Sequence, residues 1–196
     1  MSCCTLRSAI FCCINFLTKT LDTISSVVLL VCAAERRVYT MEVQNMNINK
    51  YGLKFDNERI GQLVKEETYA YDMDSCLLDG PEKVAALIEF VFDASNLPEE
   101  RLWLIALNGA RRVSGIFEVS HGTLTMSLVS SRSVFQRAML AGAASIIISH
   151  NHPSGLLDVS HSDRQVTEQL RQAGDILGIP LDDHIIVGGG DFASAF

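Results

Sequence analysis

The sequence contains no cysteine after Cys76, so disulfide bonds cannot hold its C-terminal part together. Five of the six cysteines lie within the first 32 residues. A core that lacks cysteine depends on apolar packing, and 48% hydrophobic residues are enough to supply it. A reducing compartment is the simplest setting for such a chain, and we therefore expect a cytoplasmic protein.

Positive charge is also scarce. The chain has 16 Lys and Arg against 23 Asp and Glu, a formal net charge of −7 and a pI near 5.2. Proteins that bind nucleic acid along its phosphate backbone need clustered Lys and Arg. The overall charge therefore argues against this class of partner, although a local basic patch is compatible with it.

Long hydrophobic runs are missing as well. Residues 8–17 and 24–34 are apolar, but charged residues separate them, and neither run reaches the ~18–20 residues that a membrane-spanning helix needs. We expect no membrane span, and we interpret residues 1–40 as a poorly defined segment outside the fold. Under this interpretation, ordinary soluble sequence begins at Met41 or Met46. A membrane-proximal role for the segment is the alternative that the sequence leaves open.

The rest of the chain alternates strand patterns with amphipathic helix patterns. After Pro81, the residues Val84, Leu87, Ile88 and Val91 form one apolar stripe at helical spacing. The other predicted elements are strands at 102–107, 113–120, 144–149 and 185–187, and helices at 131–142 and 160–177. This alternation in a chain of 196 residues predicts one α/β or α+β domain, a sheet flanked by helices, with an appendage.

The residues with the most chemical content follow the strand predicted at 144–149. His150 and His152 alternate around one residue, so at a strand end both imidazoles point to the same side. Ser160 can serve as the N-cap of the next helix, which places Asp163 in the first turn. Two neutral nitrogens and one carboxylate, with a fourth position open, are typical of a catalytic zinc site. Surface histidines beside an ordinary helix cap are the alternative, and the combined spacing favours the zinc site.

This spacing, His-x-His, seven residues, then Ser-x-x-Asp, resembles the JAMM signature of the JAB/MPN metalloprotease superfamily. Residues 150–155, His-Asn-His-Pro-Ser-Gly, and residues 183–188, Asp-His-Ile-Ile-Val-Gly, are similar to its RadC branch, historically labelled as DNA repair proteins. The resemblance runs from about Pro81 to the C-terminus. It implies a mixed, curled β-sheet flanked by helices, a JAB/MPN-like (cytidine deaminase-like) core, over residues 80–196, with residues 41–79 as an N-terminal extension.

The resemblance also implies a role for each site residue. His150, His152 and Asp163 match the metal ligands of the family and imply bound Zn²⁺. Ser160 matches the serine that helps to hold the developing oxyanion or the attacking water. The general base of the RadC branch is a glutamate that opens an upstream apolar strand, eight residues before the acidic or amide residue of the next turn, and Glu100 stands at that position.

Other residues near these positions compete with them or support them. Glu99 is the competitor for the general base. Asp158 is the competitor for the third metal ligand, although the resemblance implies no ligand in its loop. We expect His161 to be exposed. We expect His184, which recurs in the RadC pattern, to support a metal ligand from behind or to pack in the core.

Together these residues predict a zinc-dependent hydrolase, a metallopeptidase or isopeptidase with a metal-activated water and a Glu general base. The expected partner is a protein or peptide substrate, and the sequence does not indicate an oligomeric state. Two alternatives stay open: a RadC-type DNA repair or mobile-element accessory protein, and a non-catalytic interaction module that a metal stabilises. The acidic balance weakens the first alternative, as does the lack of a recognisable helix-hairpin-helix pattern before Pro81.

Overall fold

The computed structural model of this protein describes residues 27–32, 37–42, 45–72, 77–122 and 129–196. The chain divides into two units, Met1–Val43 and Gln44–Phe196. In the first unit, strand β1 (Val27–Cys32) pairs with strand β2 (Arg37–Glu42) in an antiparallel ladder. Most of residues 1–40, which we predict to stand outside the fold, lie outside the described ranges. Five of the six cysteines also lie outside these ranges.

The second unit is built on one seven-stranded mixed sheet. Its strands are β3 (Asn45–Phe55), β4 (Gly61–Asp72), β5 (Arg101–Leu107), β6 (Val113–His121), β7 (Ser145–Asn151), β8 (Leu181–Gly188) and β9 (Asp191–Ser194). Their order across the sheet is β4-β3-β6-β5-β7-β8-β9. The β3–β6 and β7–β8 pairs are parallel, and the other pairs are antiparallel. The sheet is open, with β4 and β9 at its edges.

Three helices flank this sheet. They are α1 (Pro81–Phe92), which a short 3₁₀ turn at Ala94–Asn96 follows, α2 (Ser131–Leu140) and α3 (His161–Leu177). Pro81 takes the first helical position of α1, where its missing N–H costs no hydrogen bond. No helix within the described ranges is long and apolar enough to cross a bilayer. The mixed sheet with its helices confirms the predicted α/β fold.

The central strand β5 is buried on both of its faces. Trp103, Ile105 and Leu107 belong to the apolar cluster that includes the inward stripe of α1. Leu102 and Leu104 belong to a second cluster, formed with α2 and α3. Successive residues of a strand point to opposite faces, and both faces of this one are covered by helices. This explains why β5 appears in the sequence as a continuous apolar run.

The polar stretch before α1 also contributes to the sheet. Strands β3 and β4 pair along most of their length, and β3 lies beside β6. Ile48 of β3 is buried in the cluster under α1. The described part of residues 41–79, which the sequence indicates as an N-terminal extension, therefore supplies one edge of the sheet.

The connection β7–α3–β8 positions the candidate site. β7 lies between β5, its antiparallel neighbour, and β8, its parallel neighbour, with His150 opposite Leu102 and beside Ile186. A helix that joins two parallel strands must begin near the C-terminal end of the first strand. The first turn of α3 therefore lies near the C-terminal end of β7, where His150 and His152 are found.

Candidate metal centre

The two histidines of the motif meet at the C-terminal end of β7. His150 lies in the strand and is completely buried, while His152 follows the strand and its side chain is 15% exposed. Their Nε2 atoms are 2.9 Å apart, because alternate residues of an extended chain point to the same side. The two imidazoles thus present one nitrogen each to a common point.

Asp163 reaches the same point from the first turn of α3. Its backbone N–H donates to Ser160 Oγ at 3.1 Å, and its Oδ2 accepts from the Ser160 N–H at 2.8 Å, which completes a capping box. Asp163 Oδ1 lies 3.5 Å from His150 Nε2, and Oδ2 lies 3.8 Å from His152 Nε2. The cap that begins the helix therefore also aims a buried carboxylate at the two histidines.

Glu100 completes a group of four. One carboxylate oxygen of Glu100, one of Asp163 and one nitrogen each of His150 and His152 all lie within 4.8 Å of one another. Glu99 points elsewhere, because its carboxylate contacts the ring of His121 and is 61% exposed. Of the two adjacent glutamates, the structure brings Glu100 to the histidines.

A chain of buried hydrogen bonds supports His150 from behind. His150 Nδ1 lies 2.8 Å from His184 Nε2, His184 Nδ1 lies 2.6 Å from Thr167 Oγ1, and Thr167 Oγ1 donates to the Asp163 carbonyl at 2.6 Å. Burial lowers the pKa of His184 to about 4. Burial, and then the neighbouring His184 and His152, lower the pKa of His150 well below its usual range. Both buried imidazoles are therefore neutral at pH 7.

These partners determine which ring nitrogen carries the proton in each histidine. The Asp163 carbonyl can only accept, so the Thr167 hydroxyl donates to it and accepts from His184 Nδ1–H. Neutral His184 then accepts at Nε2 from His150 Nδ1–H. As a result, His150 Nε2 has no proton and turns its lone pair towards His152.

A hydrogen bond to the loop after His152 likewise determines which ring nitrogen of His152 carries the proton. His152 Nδ1 lies 2.7 Å from the Leu156 carbonyl, and since a carbonyl only accepts, this nitrogen carries the proton. Gly155 adopts a φ of +74° to make the turn. A Cβ atom on Gly188 would lie 3.1 Å from the His152 carbonyl, so the loop depends on this glycine for its close approach to β8. Because Nδ1–H donates to the Leu156 carbonyl, Nε2 is the ring nitrogen of His152 that can offer a lone pair to a metal.

The remaining residues that the sequence singled out, Ser160, His161 and Asp158, lie at the protein surface. Ser160 is exposed and caps α3 through a lone pair of its Oγ, which leaves the hydroxyl proton able to donate to another group. His161 and Asp158 are exposed. Two residues that form hydrogen bonds next to this cluster, Thr167 and Asn151, were not predicted from the sequence to do so. Thr167 stands one helical turn after Asp163, a spacing that could have indicated it, whereas the contacts of Asn151 have no signal in the sequence.

Comparisons with known proteins agree on one family. A family model described as a RadC-like JAB domain matches residues 78–196. A UPF0758 protein of Rubrobacter xylanophilus is 44% identical over 99 residues, which cover 50% of this chain and 44% of that protein. A UPF0758 protein of Finegoldia magna is 39% identical over 122 residues, 62% of this chain and 54% of that protein. The chain spans about half the length of these curated relatives.

Proposed function

The chain belongs to the RadC-like JAB domain family, and on this premise we propose that it is a zinc-dependent hydrolase of peptide or isopeptide bonds. In this proposal His150, His152 and Asp163 hold the zinc. Glu100 is the general base, and Ser160 helps to hold the developing oxyanion.

The observation that carries the proposal is the pair of facing imidazole nitrogens. His150 Nε2 and His152 Nε2 are 2.9 Å apart, and the hydrogen bonds behind each ring leave both nitrogens without a proton in the neutral forms. Two lone pairs at this distance repel each other unless a cation lies between them. The buried carboxylate of Asp163 adds negative charge at the same point, which favours a divalent cation further.

The donor set and its spacing fit zinc. Two donors that are each ~2.0–2.1 Å from one zinc lie roughly 3.3 Å apart in a tetrahedral arrangement. His150 Nε2 is 2.9 Å from His152 Nε2 and 3.5 Å from Asp163 Oδ1, close to that value. Imidazole and carboxylate are both ordinary zinc ligands, and three of them leave a fourth position open, as catalytic sites require.

The chain's own residues would divide the chemistry as follows. Bound zinc supplies a Lewis acid that lowers the pKa of water towards ~7. A carboxylate oxygen of Glu100 accepts the proton of the attacking water and then returns it to the leaving amine nitrogen. Ser160 Oγ–H donates to the oxygen that becomes negative in the transition state, since the helix cap uses only its lone pair.

The choice of a peptide or isopeptide bond rests on the resemblance to the JAB/MPN metalloproteases. A role in DNA repair rests on the RadC name alone, and a formal net charge of −7 gives no support for broad contact with phosphate backbones. A non-catalytic module stabilised by metal is a distinct outcome of the experiments below.

Metal analysis of the purified chain tests the zinc site. We expect about one zinc per chain, and loss of that zinc in the His150→Ala/His152→Ala double variant and in Asp163→Ala, because too few donors remain. His161→Ala is the matched control, since this exposed histidine lies close to the cap of α3 but outside the cluster. Wild-type zinc content in the double variant would contradict the ligand assignment.

Turnover of Glu100→Gln tests the general base. Wild type, Glu100→Gln and the control Glu99→Gln are assayed on a library of fluorogenic peptides and isopeptides. We expect Glu100→Gln to keep its zinc and to lose about 10²–10⁴-fold in rate, the usual contribution of a positioned acid–base group. An inactive Glu99→Gln beside a normal Glu100→Gln would move the base by one residue. Zinc-bound wild type without turnover on any substrate would favour the non-catalytic module.

A further inference from the structure

Strand β7 stops pairing with β5 just before it reaches Glu100. The register places His150 opposite Leu102, so a continued antiparallel ladder would place His152 opposite Glu100. The β5–β7 register ends at the pair of His150 with Leu102, while the β7–β8 ladder continues, and the His152 N–H donates to the Val187 carbonyl of β8 at 2.9 Å. The pairing of β7 with β5 therefore ends next to Glu100, the general base of the proposed function.

The side chain of Asn151 takes the place of this missing ladder. Asn151 Oδ1 accepts from the Arg101 N–H at 2.8 Å, and Asn151 Nδ2 donates to the Glu99 carbonyl at 3.1 Å. The two backbone groups lie on either side of Glu100 in the chain. They also fix the orientation of the amide, because a flipped amide would set N–H against N–H and carbonyl against carbonyl.

On their opposite edge, the same residues bond to the residue that follows β6. The Gly122 N–H donates to the Glu100 carbonyl at 2.8 Å. Asn151 itself is completely buried, and its backbone pairs with Val187 in β8. Three backbone groups around Glu100 thus have a hydrogen-bond partner, and in two of these bonds the partner is one buried side chain.

We propose that Asn151 is the positioning residue for Glu100. The inference rests on the proposed function, in which Glu100 is the general base. The residues on either side of Asn151, His150 and His152, are the proposed metal ligands, so one three-residue segment sets both the ligands and the backbone of the base. A displacement of about 1 Å at a reacting group can cost about 100-fold in rate. The hydrogen bonds of Asn151 connect the segment with the metal ligands to the backbone of the base, and they limit such a displacement.

The test uses Asn151→Ala and Asn151→Leu in the full chain. Both variants lose the two hydrogen bonds, but leucine keeps most of the side-chain volume, so effects that both variants share come from the lost bonds and not from a cavity. The matched control is Asn108→Ala at the other end of β5. Asn108 Oδ1 also accepts two backbone N–H bonds, from Ala110 and Arg112, but it lies outside the candidate site.

The first measurement is amide hydrogen exchange at Arg101, whose N–H donates to Asn151. We expect exchange about tenfold faster or more in both Asn151 variants, and wild-type exchange in Asn108→Ala. The second measurement follows the carboxyl carbon of Glu100 by NMR in glutamate-labelled protein, assigned with Glu100→Gln, while zinc alone is added. We expect the zinc-induced shift of this carbon to shrink in both Asn151 variants, while the zinc dissociation constant stays within about threefold of wild type.

Kinetics provide the third measurement once a substrate has been found. We expect kcat to fall about 10- to 100-fold with KM near its wild-type value, since the base moves but substrate contacts remain. Normal Arg101 exchange in both variants would overturn the proposal, and so would a zinc-induced shift of Glu100 equal to that of wild type. If wild type binds no zinc, the proposed function fails, and the role of Asn151 in positioning a general base fails with it. Faster Arg101 exchange in both variants would then show only that Asn151 holds the backbone on either side of Glu100.

Discussion

The two faces of the seven-stranded sheet differ in the residues that they bury. The face under α1 is mostly apolar, and two of its buried polar atoms, Trp103 Nε1 and Ser149 Oγ, have no hydrogen-bond partner within the described residues. The face under α3 buries two imidazoles, a carboxylate and a threonine hydroxyl, each with named partners. Both faces come from the same strands, because alternate residues point to opposite sides.

The apolar face mainly contributes to the stability of the fold, whereas the hydrogen bonds of the polar face mainly hold side chains in defined positions. Apolar burial contributes free energy roughly in proportion to area, with little demand on direction. Buried polar groups stabilise little overall, but each hydrogen bond sets a distance and an orientation. We therefore expect substitutions under α1 to change the free energy of unfolding, and substitutions in the polar chain under α3 to change metal binding.

The largest expected effect is on stability, for Ile88→Ala under α1. Ile88 is completely buried, and an Ile-to-Ala change in a core costs about 2–5 kcal/mol in free energy of unfolding. Chemical denaturation measures this loss, and zinc titration should give an unchanged dissociation constant. Leu170→Ala on α3 is the matched variant: we expect a similar loss of stability together with weaker zinc binding, because α3 carries Asp163. Weaker zinc binding in Ile88→Ala would break the contrast between the faces.

The pH dependence of stability is the next largest effect, measured with a chelator present. The pKa of His184 is about 4 in the folded protein because it is buried, and it is ~6.5 in an unfolded chain. Between these values only the unfolded chain takes up the proton. Stability is therefore fully present above pH ~6.5 and falls as the pH approaches 4, by about 3 kcal/mol for this group.

Comparison with His184→Gln isolates that contribution. We expect a shallower fall of stability between pH 6.5 and 4.5 in this variant, since glutamine does not titrate. The control His161→Gln, at an exposed histidine, should keep the wild-type slope. Equal slopes in wild type and His184→Gln would mean that His184 is not buried in a neutral state.

A smaller effect is expected for Thr167→Val, which removes one hydroxyl from the polar chain and keeps its shape. His184 then loses the acceptor that fixes its tautomer, and through it His150 is no longer held with Nε2 bare. Changes in groups behind a metal ligand typically cost about 10- to 100-fold in affinity. We expect a zinc dissociation constant raised by that factor and a ring-nitrogen NMR spectrum of His150 with mixed tautomers.

The control for Thr167→Val is Thr68→Val on β4, where the hydroxyl donates to Asn49 Oδ1 near the sheet edge. This variant should bind zinc as wild type does. A single unchanged tautomer of His150 in Thr167→Val would show that the hydroxyl does not control it.

The smallest effect is expected for Ser149→Ala on the α1 face. Ser149 Oγ is buried without a partner in the part of the chain that the structure describes, and such a group costs about 1–3 kcal/mol where it is not satisfied. Thermal unfolding should therefore show equal or slightly higher stability, by at most about 1 kcal/mol. A clear loss of stability would mean that the hydroxyl has a partner, such as a buried water.

Several features could be predicted because they depend on residues near one another in the chain. The helix cap of Ser160 with Asp163 is local, and so is the placement of two alternating histidines at a strand end. The buried strand β5 was recognisable from its apolar run, and the mixed sheet followed from the resemblance. The strand bounds differ from the prediction: the strand predicted at 144–149 runs from Ser145 to Asn151, so His150 lies inside the sheet.

Other features required the register between distant segments. Asn151 meets the backbone beside Glu100 across 50 residues of chain, and His150 meets His184 across 34. The sequence by itself determined the kinds of donor and their local spacing, and the resemblance favoured Glu100 over its competitor Glu99. Only the tertiary structure decided the partners behind each histidine and the support of Glu100. The physical reason is that a hydrogen bond across strands depends on pairing to within one residue, and a shift of one residue would turn each side chain to the other face.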